Sequence, residues 1–263
     1  MIRALYTAAS GMLAQQMNLD NIANNLSNAS TTGFHSRRLE FQYLIYQNTV
    51  APGAAATQQT TLPSGLQVGL GVRPASSEII MIEGNFDNTG NPLDLAIQGS
   101  GFFQVTLPTG DLAYTRSGAF HLDQNGNVVD ENGDALTPNI TIPSNALSIT
   151  VGIDGTVSIT LPAQTAAQQV GAIQLATFAN PGGMNSIGQN LSQPTTASGD
   201  AILGTPGGSD GLGSIMQGNL EESNVSVVTE FVNMIIAQRS YEANSRVIRA
   251  ADEMFQTVNG LTQ

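Results

Sequence analysis

NVSVVTEFVNMIIAQRSYEANSRVIRAADEMFQTV, residues 224–258, carries two interleaved seven-residue series. Val227, Met234, Tyr241, Ile248 and Phe255 form one; Glu230, Ala237, Asn244, Ala251 and Val258 form the other, offset by three. This is the a/d spacing by which one helix packs along another. A helix over 226–258 would be ~50 Å long at a rise of ~1.5 Å per residue. Ser223 and Asn224 stand where a short polar side chain can cap the first free N–H groups, and Gly260 suits a helix stop. Glu230 and Asn244 are poor core residues and Ala237 and Ala251 are small, so the seam predicts close but weak packing against a single partner. Taken alone, this composition favours a long amphipathic helix lying on its own domain. The other end of the chain overturns that reading.

Residues 2–29 repeat the pattern. Ile2, Ala9, Gln16 and Ala23 fall on one series, and Leu5, Met12, Leu19 and Leu26 on the other. They predict a helix of ~40 Å. Asn18, Asn21, Asn24, Asn25 and Asn28 crowd its end; asparagine is a poor helix former, and these side chains are better suited to hydrogen bonds with backbone or with neighbouring chains. Two helices with half-polar seams can pair, yet each still leaves apolar surface for other copies to cover. The expectation is a self-assembling protein whose termini make the inner contacts.

Between the termini the pattern changes. Thr31 to Arg38 reads as a turn with a basic patch, with Gly33 placed for a positive φ. Residues 39–46 fit a short extended segment or a helical turn. Gln47 to Gly65, with Pro52, Gly53 and Pro63, reads as a flexible linker in an isolated chain. From Leu66 to Asn219, LDLAIQ, FFQVTL, NITIP, LSITVGI, TVSITL and AIQLATF read as strands. Asn125-Gly126, Asn132-Gly133 and Asp154-Gly155 are hairpin turns, and Ser198–Gly213 reads as a Gly-rich surface loop. The fold class is α+β: heptad helices at both ends pairing as a coiled-coil-like domain, with an all-β domain inserted between them.

Composition narrows the function. The 263 residues are 41% hydrophobic, which supports a core, but only 11% charged, with eight arginines, no lysine and a net charge of −12. Residues 1–40 sum to +1, 41–219 to −10 and 220–263 to −3. Nucleic acid is an unsuitable partner, because phosphate binding needs clustered positive charge. There is no cysteine, which removes disulfides and thiolate chemistry. No apolar run reaches the ~18 residues of a membrane span, so the chain is not membrane-embedded. Thr7, Ser10 and Gly11 dilute the N-terminal apolar segment, so a cleaved signal peptide is not expected.

No enzyme emerges. Gly207-Gly208-Ser209-Asp210-Gly211 matches G-x-S-x-G, but that elbow needs a preceding strand, a following helix and a later histidine; both histidines, His35 and His121, lie upstream. Asp123-x-Asn125-x-Asn127 begins like a calcium loop, which then wants glycine sixth and glutamate twelfth. Val128 and Asp134 stand there instead, and a hairpin turn is the better reading. Widely separated histidines without cysteine make a poor zinc site. No cofactor is expected.

The stretches ALYTAASGMLAQQMNLDNIANNLSNASTTGF (4–34), NPLDLAIQGSGFFQV (91–105), AYTRSGAFHLDQNGNVV (113–129) and QGNLEESNVSVVTEFVNMIIAQRSYEANSRVI (217–248) resemble those of the bacterial flagellar rod and hook axial protein family. YQNTVAPGAAATQQTTLPSGLQVGLGVRP (46–74) is similar to the connecting segment of its distal rod members, which hook proteins lack in this form. His35 departs from the resemblance, standing where such proteins usually carry lysine or arginine.

The resemblance implies a structural subunit that leaves the cell unfolded through the flagellar type III export apparatus. It then polymerises helically, beneath a rod cap, into a stiff hollow rod across the periplasm. That rod transmits torque from proximal rod proteins to the hook and turns inside the P and L rings. Residues 1–34 and 220–263 would form the inner domain, 35–65 the connecting segment and 66–219 the outer domain. At the subunit interface Leu5, Met12, Leu19, Leu26, Val227, Met234, Tyr241 and Ile248 would carry packing; Asn24, Asn25, Gln238, Arg239 and Asn244 would carry register. Tyr46, Gln47, Pro52, Gly53, Leu62, Pro63 and Gly65 would lie in the segment wedged between subunits. A hook or proximal-rod subunit is the neighbouring alternative, and a secreted β-domain adhesin the alternative of another class. The adhesin requires dispensable termini, against which the matched heptads argue.

Overall fold

The computed structural model describes residues 2–53, 63–162, 166–208 and 211–260, with Asn259 described by its backbone alone. Helix α1 spans Ile2–Ser27 and helix α2 spans Val227–Gly260, with a β-rich region between them, as the α+β expectation required. The chain divides into two compact units. One comprises Met1–Ser27, Arg37–Glu78 and Ser226–Gln263, the other Asn28–Ser36 and Ile79–Val225.

In the helical unit α1 and α2 pack along each other and run antiparallel. The Asn25 side chain bonds to Glu230 at one end, and Gly11 meets Asn244 nearer the other. Most of the α2 heptad positions face α1: Glu230, Met234, Asn244, Ile248 and Phe255 are half-buried and Ala237 and Ala251 are buried, whereas Val227, Tyr241 and Val258 are exposed. In α1 one series holds and the other does not. Leu5, Met12, Leu19 and Leu26 are half-buried, but Ile2, Ala9, Gln16 and Ala23 are exposed. Ala8, Gln15 and Ile22 turn inward instead. From Leu5 the residues three and four positions on lie near one face, and two alanines there do not tell the seam from its flank. The partner's shape chooses. A Cβ at Gly11 would come within 2.7 Å of Asn244 Nδ2, so glycine lets the helices approach.

The cap of α2 also differs from the sequence expectation. Ser226, rather than Ser223 or Asn224, stands at the helix start, its Oγ 3.4 Å from Thr229 N and its carbonyl accepting from Glu230 N at 2.9 Å. The asparagines ending α1 serve the chain's own backbone. Asn21 and Asn25 donate to Arg37 O at 2.7 and 2.9 Å, and Asn25 Oδ1 accepts from Arg37 N at 3.0 Å. This clasp feeds the strand Arg37–Tyr43, which pairs with Val72–Ile79; Tyr46–Val50 pairs antiparallel with Leu66–Gly69. Residues 37–50, apart from Leu44 and Ile45, are therefore extended, and the segment read as linker begins inside one strand of a pair and ends just before the other. Leu62 lies outside the described residues.

The β unit centres on Phe102–Thr106, whose first four residues are all buried, as a strand covered on both faces requires. One edge of this strand pairs with Leu112–Thr115; the other pairs with Leu175–Thr177 near its start and Ala135–Leu136 near its end. Phe103 packs edge-on to Phe120 in the main core with Ile97, Leu136, Ile159 and Leu175. Phe102 packs edge-on to Phe178 in a smaller cluster. Ser148–Val151, Thr156–Thr160 and Gln168–Ala172 form a three-stranded sheet. The three expected hairpin turns are present, with Gly126, Gly133 and Gly155 at φ +83°, +90° and +79°. Asp123 Oδ1 accepts the N–H groups of Asn125 and Asn127, each at 2.8 Å, which engages the carboxylate of the calcium-like run in its own turn.

Two expectations are corrected. NITIP is not a strand: among its residues only Thr141 forms a bridge, to Asn127, because Pro138 and Pro143 frame it and lack ladder donors; Ile140 and Ile142 nonetheless fill the core. Ser198–Gly213 is not wholly loop, since Ile202–Gly204 pairs with Leu175–Thr177 and Leu212 is buried. Of the G-x-S-x-G run, Ser209 and Asp210 lie outside the described residues. Gly118 is a further fixed point. A Cβ there would collide with the Leu95 carbonyl oxygen, whose own N–H donates to Gly118 O at 3.0 Å. Gly118→Ala is expected to destabilise the β unit by about 3 kcal/mol, at the upper end of overpacking effects, measured as the loss in its urea-unfolding free energy.

Candidate assembly surface and buried clamp

The paired helices leave a second apolar stripe uncovered. Val228, Phe231, Val232, Ile235 and Ile236 occupy the first three turns of α2 and all are exposed, Val228 to 75%. Spacings of three and four place most of them on one side of α2, flanking the seam. On α1, Ile2, Tyr6 and Leu13 are exposed, Tyr6 to 72%. Single exposed apolar residues are ordinary on a folded surface; a contiguous stripe marks an interaction site. The strand pairs add Tyr43, Ile45 and Tyr46, all exposed, with the tyrosine rings edge-on at 5.6 Å.

The predicted interface residues divide into two sets. Leu5, Met12, Leu19, Leu26, Met234, Asn244 and Ile248 are half-buried between α1 and α2, and Asn25 is buried. Asn24, Val227, Gln238, Arg239 and Tyr241 are exposed, with Arg239 bonded to Glu242 at 3.0 Å. Tyr46, Gln47, Pro52, Gly53 and Pro63 are exposed and Gly65 is half-buried. The stripe at 228–236 was missed by the heptad reading, although VV, FV and II repeat every three to four residues. Glu230, half-buried in the helix pair, has its pKa raised by burial against the opposing hydrogen bonds of Asn25 and Asn233.

In the β unit a buried clamp gathers the passages by which the chain enters and leaves. Glu221 is 2% exposed; its Oε2 accepts from Arg116 Nε at 2.5 Å and its Oε1 from Gly84 N at 3.2 Å. Arg116 also donates to Gly101 O at 2.7 Å and Ile97 O at 3.0 Å. This fork of donors to one carboxylate and two carbonyls is a geometry that only a guanidinium meets. Asn224 joins three passages: its Oδ1 accepts from Ser36 N, and its Nδ2 donates to Ile80 O and Ile82 O, each at 2.8 Å. His35 sits beside them, Nδ1 3.2 Å from Ile80 O and Nε2 3.5 Å from Glu221 Oε1. Burial lowers the His35 pKa, opposed by Glu221. Arg116 and Glu221, 105 residues apart, carry no sequence signal by which they could have been paired.

The clamp's charged side chains are engaged with one another and with backbone carbonyls, and among the described residues no group of acids and histidines could hold a metal. Comparison with known proteins agrees with an architectural role. Residues 5–35 match the family model "Flagella basal body rod protein", 96–159 "Flagellar hook protein FlgE/F/G D1 domain" and 216–261 "Flagellar basal body rod FlgEFG protein C-terminal". The flagellar basal-body rod protein FlgG of Buchnera aphidicola (subsp. Schizaphis graminum) is 47% identical over 261 residues, covering 99% of this chain and 100% of the relative. Those of Borreliella burgdorferi and Caulobacter vibrioides are each 46% identical, covering 99% of both chains. With likeness of this extent from one terminus to the other, the chain belongs to the FlgG family of flagellar basal-body rod proteins.

Proposed function

We propose that this rod subunit builds the distal rod, polymerising helically into a stiff hollow shaft that carries motor torque to the hook and lets later axial proteins pass through its bore. The observation that carries the reading is the stripe Val228–Ile236, left open by a chain that covers the seam beside it. Copies of the same chain are its natural cover, since contacts between unlike patches that do not close into a ring grow an open helix. The α1–α2 pair, read as coiled-coil-like, with residues 1–34 and 220–263 as an inner domain, would line the tube; residues 66–219 would lie outside, and 35–65 would wedge between subunits. Proximal rod proteins, the hook protein, the P and L rings, the rod cap and the export apparatus are the partners this position entails. The location is the rod within the periplasm, reached by export without a cleaved signal.

Assembly on this reading is coupled to ordering. Fixing a residue's backbone costs about 1–2 kcal/mol, and burial of the stripe in the polymer offsets it. Hydrogen exchange on the purified chain and on rods should therefore differ most in the helices. Amides of 2–27 and 227–258 are expected to exchange freely in the chain alone and to be protected in the rod. Equal protection in both states would mean that the helices are stable on their own domain, and coupled folding would be lost.

A further inference from the structure

His35 Nδ1 lies 3.2 Å from Ile80 O and 3.4 Å from Asn224 Nδ2. Both Asn224 hydrogens go to Ile80 O and Ile82 O at 2.8 Å, and a carbonyl oxygen only accepts, so the ring proton belongs on Nδ1. Nε2 of the neutral ring is then a bare acceptor. It is closed off from solvent, and no described residue donates to it. What it faces, Glu221 Oε1 at 3.5 Å, is an acceptor as well. One hydrogen is missing between them. The gap is too short for an atom to stand in line between the two, so the donor that fits is a proton on the ring itself.

We propose that His35 is a proton-operated switch on the clamp: in acid Nε2 takes up a proton and donates it to Glu221 Oε1, so that one buried carboxylate is shared by two cations. Arg116 then no longer holds Glu221 alone, and the passages 33–36, 80–84 and 221–224 that the clamp gathers are loosened. The charged groups facing the ring come from separate stretches: Glu221, Arg116 and Glu83, with the Ile80 carbonyl against Nδ1. Burial, reinforced by Arg116, outweighs Glu221, Ile80 and Glu83 and holds the folded pKa below the ordinary histidine value of about 6.5. His35 therefore contributes stability that is present above about pH 6.5 and lost as the pH falls through the folded value.

The chain has only two histidines, His35 and His121, which makes the test clean. In the full-length His121→Gln variant, the single remaining imidazole is followed by NMR between pH 8 and 4.5. The expected result is an Nδ1–H tautomer at high pH, a midpoint below about 6.5, and Arg116 Nε and Gly84 amide resonances moving with that midpoint. A midpoint at or above the ordinary value, or an Arg116 resonance that ignores the titration, overturns the proposal. Independently, the folding constant of the wild type relative to His35→Gln is expected to fall roughly three- to tenfold between pH 7.5 and 5. Parallel pH profiles would overturn it as well.

Discussion

Ile235→Asp is expected to abolish rod formation while leaving the chain folded. Ile235 is 55% exposed on the stripe that flanks the helix seam, so a carboxylate there meets water in the lone subunit and disturbs nothing. In a polymer the same position is buried. Losing an isoleucine contact forfeits about 2 kcal/mol, and enclosing an unpaired carboxylate adds several more. A total of about 4 kcal/mol raises the concentration needed for assembly roughly a thousandfold. Sedimentation and electron microscopy should then find no rods at concentrations where the wild type forms them, with an unchanged circular dichroism spectrum. Met234→Asp supplies the contrast. Met234 is half-buried against α1, so that variant should lose rods by breaking the α1–α2 seam that assembly orders, yet keep the β unit folded. Rods from Ile235→Asp at wild-type concentrations would remove the stripe from the interface.

Arg116→Ala should be the most damaging single change in the β unit, lowering its stability by about 4 kcal/mol, as removal of one partner of a buried ion pair typically does. The substitution strands Glu221 in the interior beside a neutral imidazole and leaves the carbonyls of Ile97 and Gly101 without their guanidinium donors. Arg116→Lys should recover only part of the loss, because one ammonium cannot reproduce the planar fork. Replacing both charges, as Arg116→Met with Glu221→Met, should cost less than the single alanine, since no buried charge is then unmatched. Urea unfolding of the three variants checks the order. A loss under about 1 kcal/mol for Arg116→Ala would place it with exposed pairs and dismiss the clamp.

What could be read from the residues alone was whatever depends on near neighbours in the chain. The α2 series Glu230, Ala237, Asn244 and Ala251 was legible because a helix repeats every ~3.6 residues. The Asn-Gly and Asp-Gly turns were legible because glycine reaches positive φ without strain, and the strands around 95–106 and 148–160 because β-branched and aromatic runs stand between turn signals. The places where this failed are those where two local answers were equally good. Ala8 and Ala9 both suit a small-residue seam, and only the face presented by α2 selects Ala8. Ser223, Asn224 and Ser226 all suit a cap; Ser226 takes the role because Asn224 is held by Ser36, Ile80 and Ile82. NITIP has strand composition, but its flanking prolines leave it a core-filling bridge.

The sequence by itself determined the two terminal helices, the β-rich insert between them, the hairpin turns and, through motifs spread along the chain, the family. The tertiary structure alone decided which α1 residues face α2, that the stripe at 228–236 stays open, and that Arg116, Glu221, Asn224 and His35 meet. The reason is one of range. Helix period and turn geometry are set by sterics within a few residues, whereas a clamp joining residues 105 positions apart exists only once packing has brought them into one low-dielectric interior, where a charge is stable only with its partner.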